Sequence, residues 1–377
     1  MNILYLTNHL NIGGITSYVL SLAAGLKRRG HHIFVASSGG QLLPRLIEEG
    51  IVYIPIPIRT KKEISPKILI SMFKLLRTVK KYNIALVHSN SRTTQVLGCL
   101  LRRSAGTAHI STCHGFFKKR LLRKVFPCWG LKVIAISESV RKHLMKDFGV
   151  KEEDIRLIHN GIDIERFGQQ TTDNRQQTKK NLGLGEGPVV GIVARLSDVK
   201  GHTYLMEAMR AVIERLPQAQ LLIVGEGKMK EELVTKSLHL GIKENVLFMP
   251  SVNETRDVLS IMDLFVMPSL KEGLGLSLME AMASGLPVIG SGVGGIKSLI
   301  QDGYNGLLVR PADSQGLSLA ILELLQNQER AQSLGRAARI FISRNFSLEK
   351  MVLETERVYA ECLNPALSYP RGLRRIA

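Results

Sequence analysis

Aromatic residues make up only 5% of this 377-residue chain, with a single tryptophan, and cysteine occurs just four times. Cys99, Cys113, Cys128 and Cys362 form no C-x-x-C pair and follow no metal-ligand spacing. That argues against a disulfide scaffold or a zinc module and points to plain thiols in a reducing compartment. No window of 18 apolar residues occurs, so no membrane-spanning helix is expected. The start lacks a basic region, and its apolar stretch ends in Thr7, Asn8 and His9, so it reads as a strand rather than a signal peptide. A cytoplasmic protein is the expectation.

Acidic residues are also in deficit. Lys and Arg number 51 against 32 Asp and Glu, a net charge of +19. The surplus is uneven. Residues 1–165 carry 26 basic and 10 acidic residues, a net of +16, and residues 166–377 carry 25 and 22, a net of +3. One half therefore faces an anionic partner: a membrane surface, a nucleic acid or an acidic substrate.

The hydrophobic pattern alternates between short apolar runs and stretches of helical period. Strands are expected at 2–8, 32–37, 52–56, 84–88, 109–113, 133–136 and 155–159, with helices over 15–26, 66–81, 93–103 and 138–148. A polar stretch over 169–181 reads as a linker. Alternation then resumes. Strands are expected at 189–194, 220–224, 246–249, 264–268, 288–290 and 306–309, and helices at 203–216, 228–240, 255–262, 278–284 and 315–327. A last helix is expected over 347–362. This is an α/β chain of two Rossmann-like parallel-sheet domains, 1–168 and 182–345. The closing helix (346–363) packs across the domain boundary, and 364–377 forms a flexible basic tail. Tandem open sheets bind ligands at their strand carboxyl ends, in a cleft.

Four segments stand at such ends. In the run EGLGLSLMEAMASGLPVIGSGVGG (272–295), Gly273 and Gly275 let backbone N–H groups approach a ligand, a helix begins just after them, and Glu272 and Glu280 bracket the turn. A sugar diphosphate needs N–H donors for phosphate and carboxylates for hydroxyls. Equally, Ser277 to Glu280 fits a helix capping box with no function. In RLSDVKG (195–201), Arg195 and Lys200 offer two cations for a diphosphate leaving group, or are solvated loop charges. Asn11-Ile12-Gly13-Gly14 permits close backbone approach without being a dinucleotide fingerprint, or is a simple tight turn. His114, in Cys113-His114-Gly115, is either structural or a partner for a sugar hydroxyl.

Taken together these segments resemble glycosyltransferase family 4, retaining enzymes of the GT-B fold. The resemblance extends over nearly the whole chain. It rests on Gly13-Gly14, His114-Gly115, Asn160-Gly161-Ile162-Asp163, Arg195 with Lys200, and Glu272 through Glu280 continuing into Ala281-Met282-Ala283-Ser284-Gly285-Leu286-Pro287-Val288. It implies that Arg195 and Lys200 bind and stabilise the diphosphate, Glu280 the ribose hydroxyls, and Glu272 the donor sugar. Gly13, Gly14, Asn160, Gly273, Gly275, Leu276 and Ser277 would join the donor site, and backbone near Val252 would hold the base. His114 would bond the transferred sugar. His114, Arg195, Lys200 and Glu272 form the implied catalytic set. Retention of configuration without a metal or other cofactor is the family expectation. The sequence agrees in having no D-x-D, so the two cations would serve instead of an ion. UDP is the default carrier.

The acceptor is read from the basic half. In HGFFKKRLLRKVFPCWG (114–130), Lys118, Lys119, Arg120, Arg123 and Lys124 alternate with apolar residues and Trp129. Either this suits an anionic membrane surface with Trp129 as interfacial anchor, or it is a helix with an apolar core side and solvated basic faces. The first reading implies a peripheral enzyme of the inner membrane face, acting on a lipid-linked saccharide or polysaccharide in cell-envelope synthesis. The alternative within the same fold is a cytosolic enzyme with a small soluble acceptor. Nucleic-acid binding is the distant alternative suggested by charge alone, and no motif supports it.

Overall fold

In the computed structural model, residues 1–60, 62–63, 65–120, 123, 125–167 and 172–364 are described. They divide into two compact units. One holds Met1–Ile136, Val140–His159 and the stretch from Glu349 on; the other holds Ser137–Ser139 and Asn160–Leu348.

The first unit is a seven-stranded parallel sheet: β1 (Asn2–Leu6), β2 (His32–Ser37), β3 (Val52–Pro55), β4 (Leu86–Ser89), β5 (Ala108–Cys113), β6 (Val133–Ala135) and β7 (Ile155–Leu157), in the order β3-β2-β1-β4-β5-β6-β7. Ile3 to Leu6 are wholly buried on both sides, as a central parallel strand requires. Helix Gly14–Arg28 buries Val19, Leu22, Ala23 and Leu26, the apolar period read from the sequence. Helix Arg92–Ala105 opens on a capping box between Ser91 and Thr94 and closes on Gly106 at φ 72°. Leu4, Leu6, Phe34, Leu75, Val87 and Leu97 share one core.

The second unit is a six-stranded parallel sheet: β8 (Val189–Val193), β9 (Gln220–Val224), β10 (Val246–Met249), β11 (Leu264–Met267), β12 (Val288–Ser291) and β13 (Leu307–Val309), ordered β10-β9-β8-β11-β12-β13. Val190, Ile192, Leu221, Ile223, Leu264 and Val266 pack with Leu205, Met209 and Ile321 of the covering helices. In each unit the strand order reverses once, between β1 and β4 and between β8 and β11. The crevice outside the carboxyl ends of those strands is where such sheets take ligands.

The linker expected over 169–181 is, from Thr172 to Asn181, a helix. It has no apolar stripe. Two cations hold it instead: Arg175 donates to Asp263 at 2.5 Å and the buried Lys179 to the Gly187 carbonyl at 2.9 Å. The other Asp263 oxygen accepts from the N–H of Val189 at the start of β8. The first three linker residues, 169–171, lie outside the described residues, as does the tail apart from Asn364. Helices Leu43–Glu48 and Gln328–Asn345 had no counterpart in the sequence reading.

The last helix, Leu348–Leu363, crosses back to the first unit. Its Tyr359 is fully buried and bonds Tyr5 and His88, Val352 presses on Gly25, and Glu361 pairs with Arg156.

Candidate active site

In the second unit, the loop after β8 carries Arg195 and Lys200 and the loop after β11 carries Glu272, so the candidate residues flank the point of strand reversal. Gly201 makes the junction fit. It lies at φ 73°, and a Cβ there would stand 1.9 Å from the Pro268 carbonyl oxygen, so no other residue fits without displacing backbone. The two loops therefore touch, and the Lys200 ammonium forms a direct ion pair with Glu272. Ser269 Oγ and the N–H of Gly273 also point at that carboxylate, at 3.4 and 3.2 Å. Arg195 is exposed and meets no side-chain partner among the described residues.

Helix Leu276–Ala283 begins at Gly275, which takes φ 101° and gives no side-chain cap. The capping-box reading of Ser277 and Glu280 is thereby corrected: Ser277 lies inside the first turn, so it cannot be the capping residue. Glu280 instead accepts from Thr255 Oγ1 at 2.9 Å. The helix thus presents uncapped N–H groups and the positive end of its dipole beside Lys200 and Glu272, an arrangement suited to phosphate. Val252 is half-buried in the loop after β10, three residues from Thr255. Asn160 is buried with its Oδ1 unpartnered.

Thr255 and His202 escaped the sequence reading. His202 opens helix His202–Arg215 directly after Gly201, and both its ring nitrogens are buried without a partner. Burial, with the Lys200 charge behind it, pushes its pKa down to about 4.

In the first unit, Gly13 follows β1 at φ 156°, and a Cβ there would meet nothing within 4 Å. Packing does not ask for glycine at this point; the backbone conformation does. Gly14 begins its helix without a side-chain cap. His114 follows β5. Its Nε2 lies 3.1 Å from Asn90 Oδ1, and the ring packs edge-on against Tyr18 with centroids 4.6 Å apart. Burial lowers the His114 pKa to about 3, so the ring is neutral. Beneath it runs a buried chain: Tyr18 to Thr112 (3.1 Å), Thr112 to His88 (2.7 Å), His88 to Tyr359 (2.7 Å) and Tyr359 to Tyr5 (2.5 Å). Asn90 and Tyr18 also escaped the sequence reading, though Asn90 stands two residues beyond the strand expected at 84–88, an address that marks it.

The basic segment is less basic at its surface than its sequence. Arg123 is corrected from a surface position: it is buried, paired with Glu63 at 3.0 Å, and stacked over Phe117. Glu63 also takes Arg92, so the acid gathers two cations in place of solvent. Lys119 is exposed but tied to Asp147 at 2.7 Å. Trp129 is 7% exposed and packs between Phe117 and Phe148, so it is no interfacial anchor. Lys118, Arg120 and Phe126 remain exposed, while Lys124 lies outside the described residues. Among the described residues, no helix is long and apolar enough to cross a membrane, and no group of three or more His, Cys, Asp or Glu side chains is arranged to hold a metal ion.

Each unit carries a glycine-bearing loop before a helix and charged or polar side chains at its strand reversal, and the two parallel sheets are those of the GT-B fold, the fold of a glycosyltransferase. Residues 12–166 match the family model "Glycosyltransferase Family 4" and residues 173–341 match "Glycosyl transferases group 1". The chain belongs to this family. It is 28% identical over 311 residues to the UDP-Gal:alpha-D-GlcNAc-diphosphoundecaprenol alpha-1,3-galactosyltransferase of Escherichia coli, covering 78% of this chain and 79% of that protein. It is also 28% identical over 351 residues to the putative glycosyltransferase EpsD of Bacillus subtilis, covering 89% and 90%. Among solved structures, Anabaena HepE in complex with UDP and glucose superposes with a TM-score of 0.85 at 22% identity, covering 95% of this chain and 99% of that one.

Proposed function

We propose that the enzyme transfers a hexose from UDP to a saccharide acceptor carried on a lipid or a growing polysaccharide, with retention of configuration and without a metal. The observation that carries the donor half is the juxtaposition of Lys200, Glu272 and the uncapped helix at Gly275. Lys200 and Arg195 take the diphosphate and balance the charge that develops as it departs. Glu280, held by Thr255, meets the ribose hydroxyls, and backbone near Val252 meets the base. Glu272 is committed to Lys200, Ser269 and the Gly273 N–H, which suits a carboxylate that orients a sugar better than one that attacks it. With Glu272 so engaged, the departing phosphate oxygen helps deprotonate the acceptor on the same face. His114 meets the transferred sugar.

The UDP-linked donor and lipid-diphosphate acceptor named for the Escherichia coli relative, and the UDP and glucose bound by HepE, support this reading. The exposed Lys118, Arg120 and Phe126, within residues 1–165 with their net charge of +16, support peripheral attachment to an anionic inner membrane face. The burial of Arg123 and Trp129 favours the second reading, a cytosolic enzyme with a small soluble acceptor. A thermal-shift screen of sugar nucleotides, with and without EDTA, tests the donor half. A ligand at 100 times its dissociation constant adds about 2.7 kcal/mol of stability. Expected is a UDP-sugar shift that survives EDTA; no shift with any UDP-sugar, or one abolished by EDTA, contradicts the proposal.

A further inference from the structure

Asn90 is one residue beyond β4 and only 1% exposed. Its amide nitrogen lies 3.4 Å from the carbonyl oxygens of Leu6 and of His88. Both of those atoms can only accept, so the amide is fixed in this sense; inverted, Oδ1 would face two oxygens. Asn90 Oδ1 is thus the atom turned to His114, and it also only accepts. The hydrogen in the 3.1 Å contact must sit on His114 Nε2. A neutral imidazole has one N–H, so Nδ1 carries a bare lone pair. No described residue donates to that nitrogen.

The ring is not free to exchange its nitrogens. Tyr18 packs edge-on against it at 74°, and the Tyr18 hydroxyl is anchored through Thr112 and His88 to Tyr359 of the last helix. Burial keeps the ring from taking a second proton. The site at His114 is therefore an acceptor with a fixed direction.

We propose that Asn90 is a specificity-determining positioning residue: by holding His114 as the Nε2–H tautomer it makes Nδ1 a hydrogen-bond acceptor, so the sugar bound there must offer a hydroxyl, and a hexuronate carboxylate is refused. A hydroxyl donates to the lone pair. A carboxylate can only accept, and meeting it would require an imidazolium that the buried site disfavours. The proposal rests on His114 meeting the sugar, the role assigned above.

Two measurements test it. The first is ¹⁵N NMR of the ligand-free, histidine-labelled full chain, with the His114 signal assigned by its loss in His114→Gln. Expected is a protonated Nε2 and a pyridine-type Nδ1; a protonated Nδ1 overturns the proposal. The second compares the affinities of UDP-glucose and UDP-glucuronate, with UDP alone as reference, or the corresponding GDP pair if GDP is the nucleotide that binds. The wild-type protein is expected to prefer the hexose by about tenfold, the scale of one hydrogen bond set against an unpaired charge. Asn90→Asp, nearly isosteric, sets an oxygen against the Leu6 and His88 carbonyls; ionised, as the same ¹⁵N spectrum of His114 reports, it stabilises the imidazolium and turns Nδ1 into a donor. The preference is then expected to fall toward one or reverse, with the affinity for the bare nucleotide unchanged. An equal preference in wild type and in Asn90→Asp with His114 doubly protonated, nucleotide still bound, overturns the assignment of Asn90. Where Asn90→Asp fails to fold or stays neutral, Asn90→Ala takes its place: a preference that falls supports the assignment, and one kept at the wild-type value overturns it. A wild-type protein that binds neither nucleotide fails at the donor reading instead, and the selectivity claim falls with it whatever the tautomer.

Discussion

Buried histidines are the residues whose chemistry is most altered by this fold. His109 and His114 have pKa values lowered to about 3 by burial, and His88 moves in the same direction for the same reason. The unfolded chain takes up protons near pH 6.5, while the folded chain resists until near 3. Between those limits the unfolded state binds more protons, so stability rises with pH there. The stabilisation is complete above about pH 6.5 and is lost as pH falls toward 3. Each such histidine contributes a slope of about 1.4 kcal/mol per pH unit inside that window. The urea midpoint of the full chain is therefore expected to fall between pH 7 and pH 5, before the paired carboxylates of Glu63 and Glu356, whose pKa values are lowered, begin to titrate. An equal or higher midpoint at pH 5 contradicts the buried, neutral state of these rings.

At the scale of elements, the two loops of the second unit act as one piece because Gly201 lets them touch. Gly201→Ala would strain a left-handed backbone and drive a Cβ into the Pro268 carbonyl. A loss of about 1–3 kcal/mol is expected from denaturant unfolding. Because Lys200 is its neighbour, donor binding should weaken in the same variant. Unaltered stability and binding would mean the loop contact carries no weight. These elements were largely legible beforehand. Alternation of apolar runs with helical periods located the thirteen strands among the described residues, because a parallel strand buried on both faces leaves a continuous apolar run such as Ile3–Leu6. The helix from Thr172 to Asn181 was not legible, because Arg175 and Lys179 anchor it by charge and no apolar period marks it. Of the candidate site, Arg195, Lys200, Glu272 and His114 could be picked out beforehand because they stand just after strands. Thr255, Asn90 and Tyr18 could not, since their meaning lies in partners distant in sequence: Glu280, His114 and Thr112. The capping box failed for a related reason. The spacing was right, but the helix starts one residue before Ser277, so Ser277 and Glu280 fall outside the capping positions.

Across the whole molecule the charge imbalance of +16 against +3 is the property with the widest reach. Folding hides part of it, in Arg92 and Arg123 around Glu63, and leaves Lys118 and Arg120 outside. If those residues meet a membrane, flotation with anionic vesicles should exceed that with neutral ones and should collapse as salt rises. Lys118→Glu with Arg120→Glu should then reduce flotation while leaving nucleotide binding intact. Equal absence from both vesicle fractions would turn the assignment to a soluble acceptor. The fold itself is indifferent to that choice, since Lys118 and Arg120 belong to one unit and Arg195, Lys200 and Glu272 to the other.

The central claim is that the cations and helix end of the second unit hold a nucleoside diphosphate. Calorimetric titration of UDP into the wild-type chain, Lys200→Ala and Glu280→Ala tests it most directly. Expected is measurable binding to the wild type, weakened at least about tenfold by Lys200→Ala, the cost of one charge-assisted contact to phosphate, and by a smaller factor in Glu280→Ala, with both variants folded. Equal affinity in all three proteins would contradict the site.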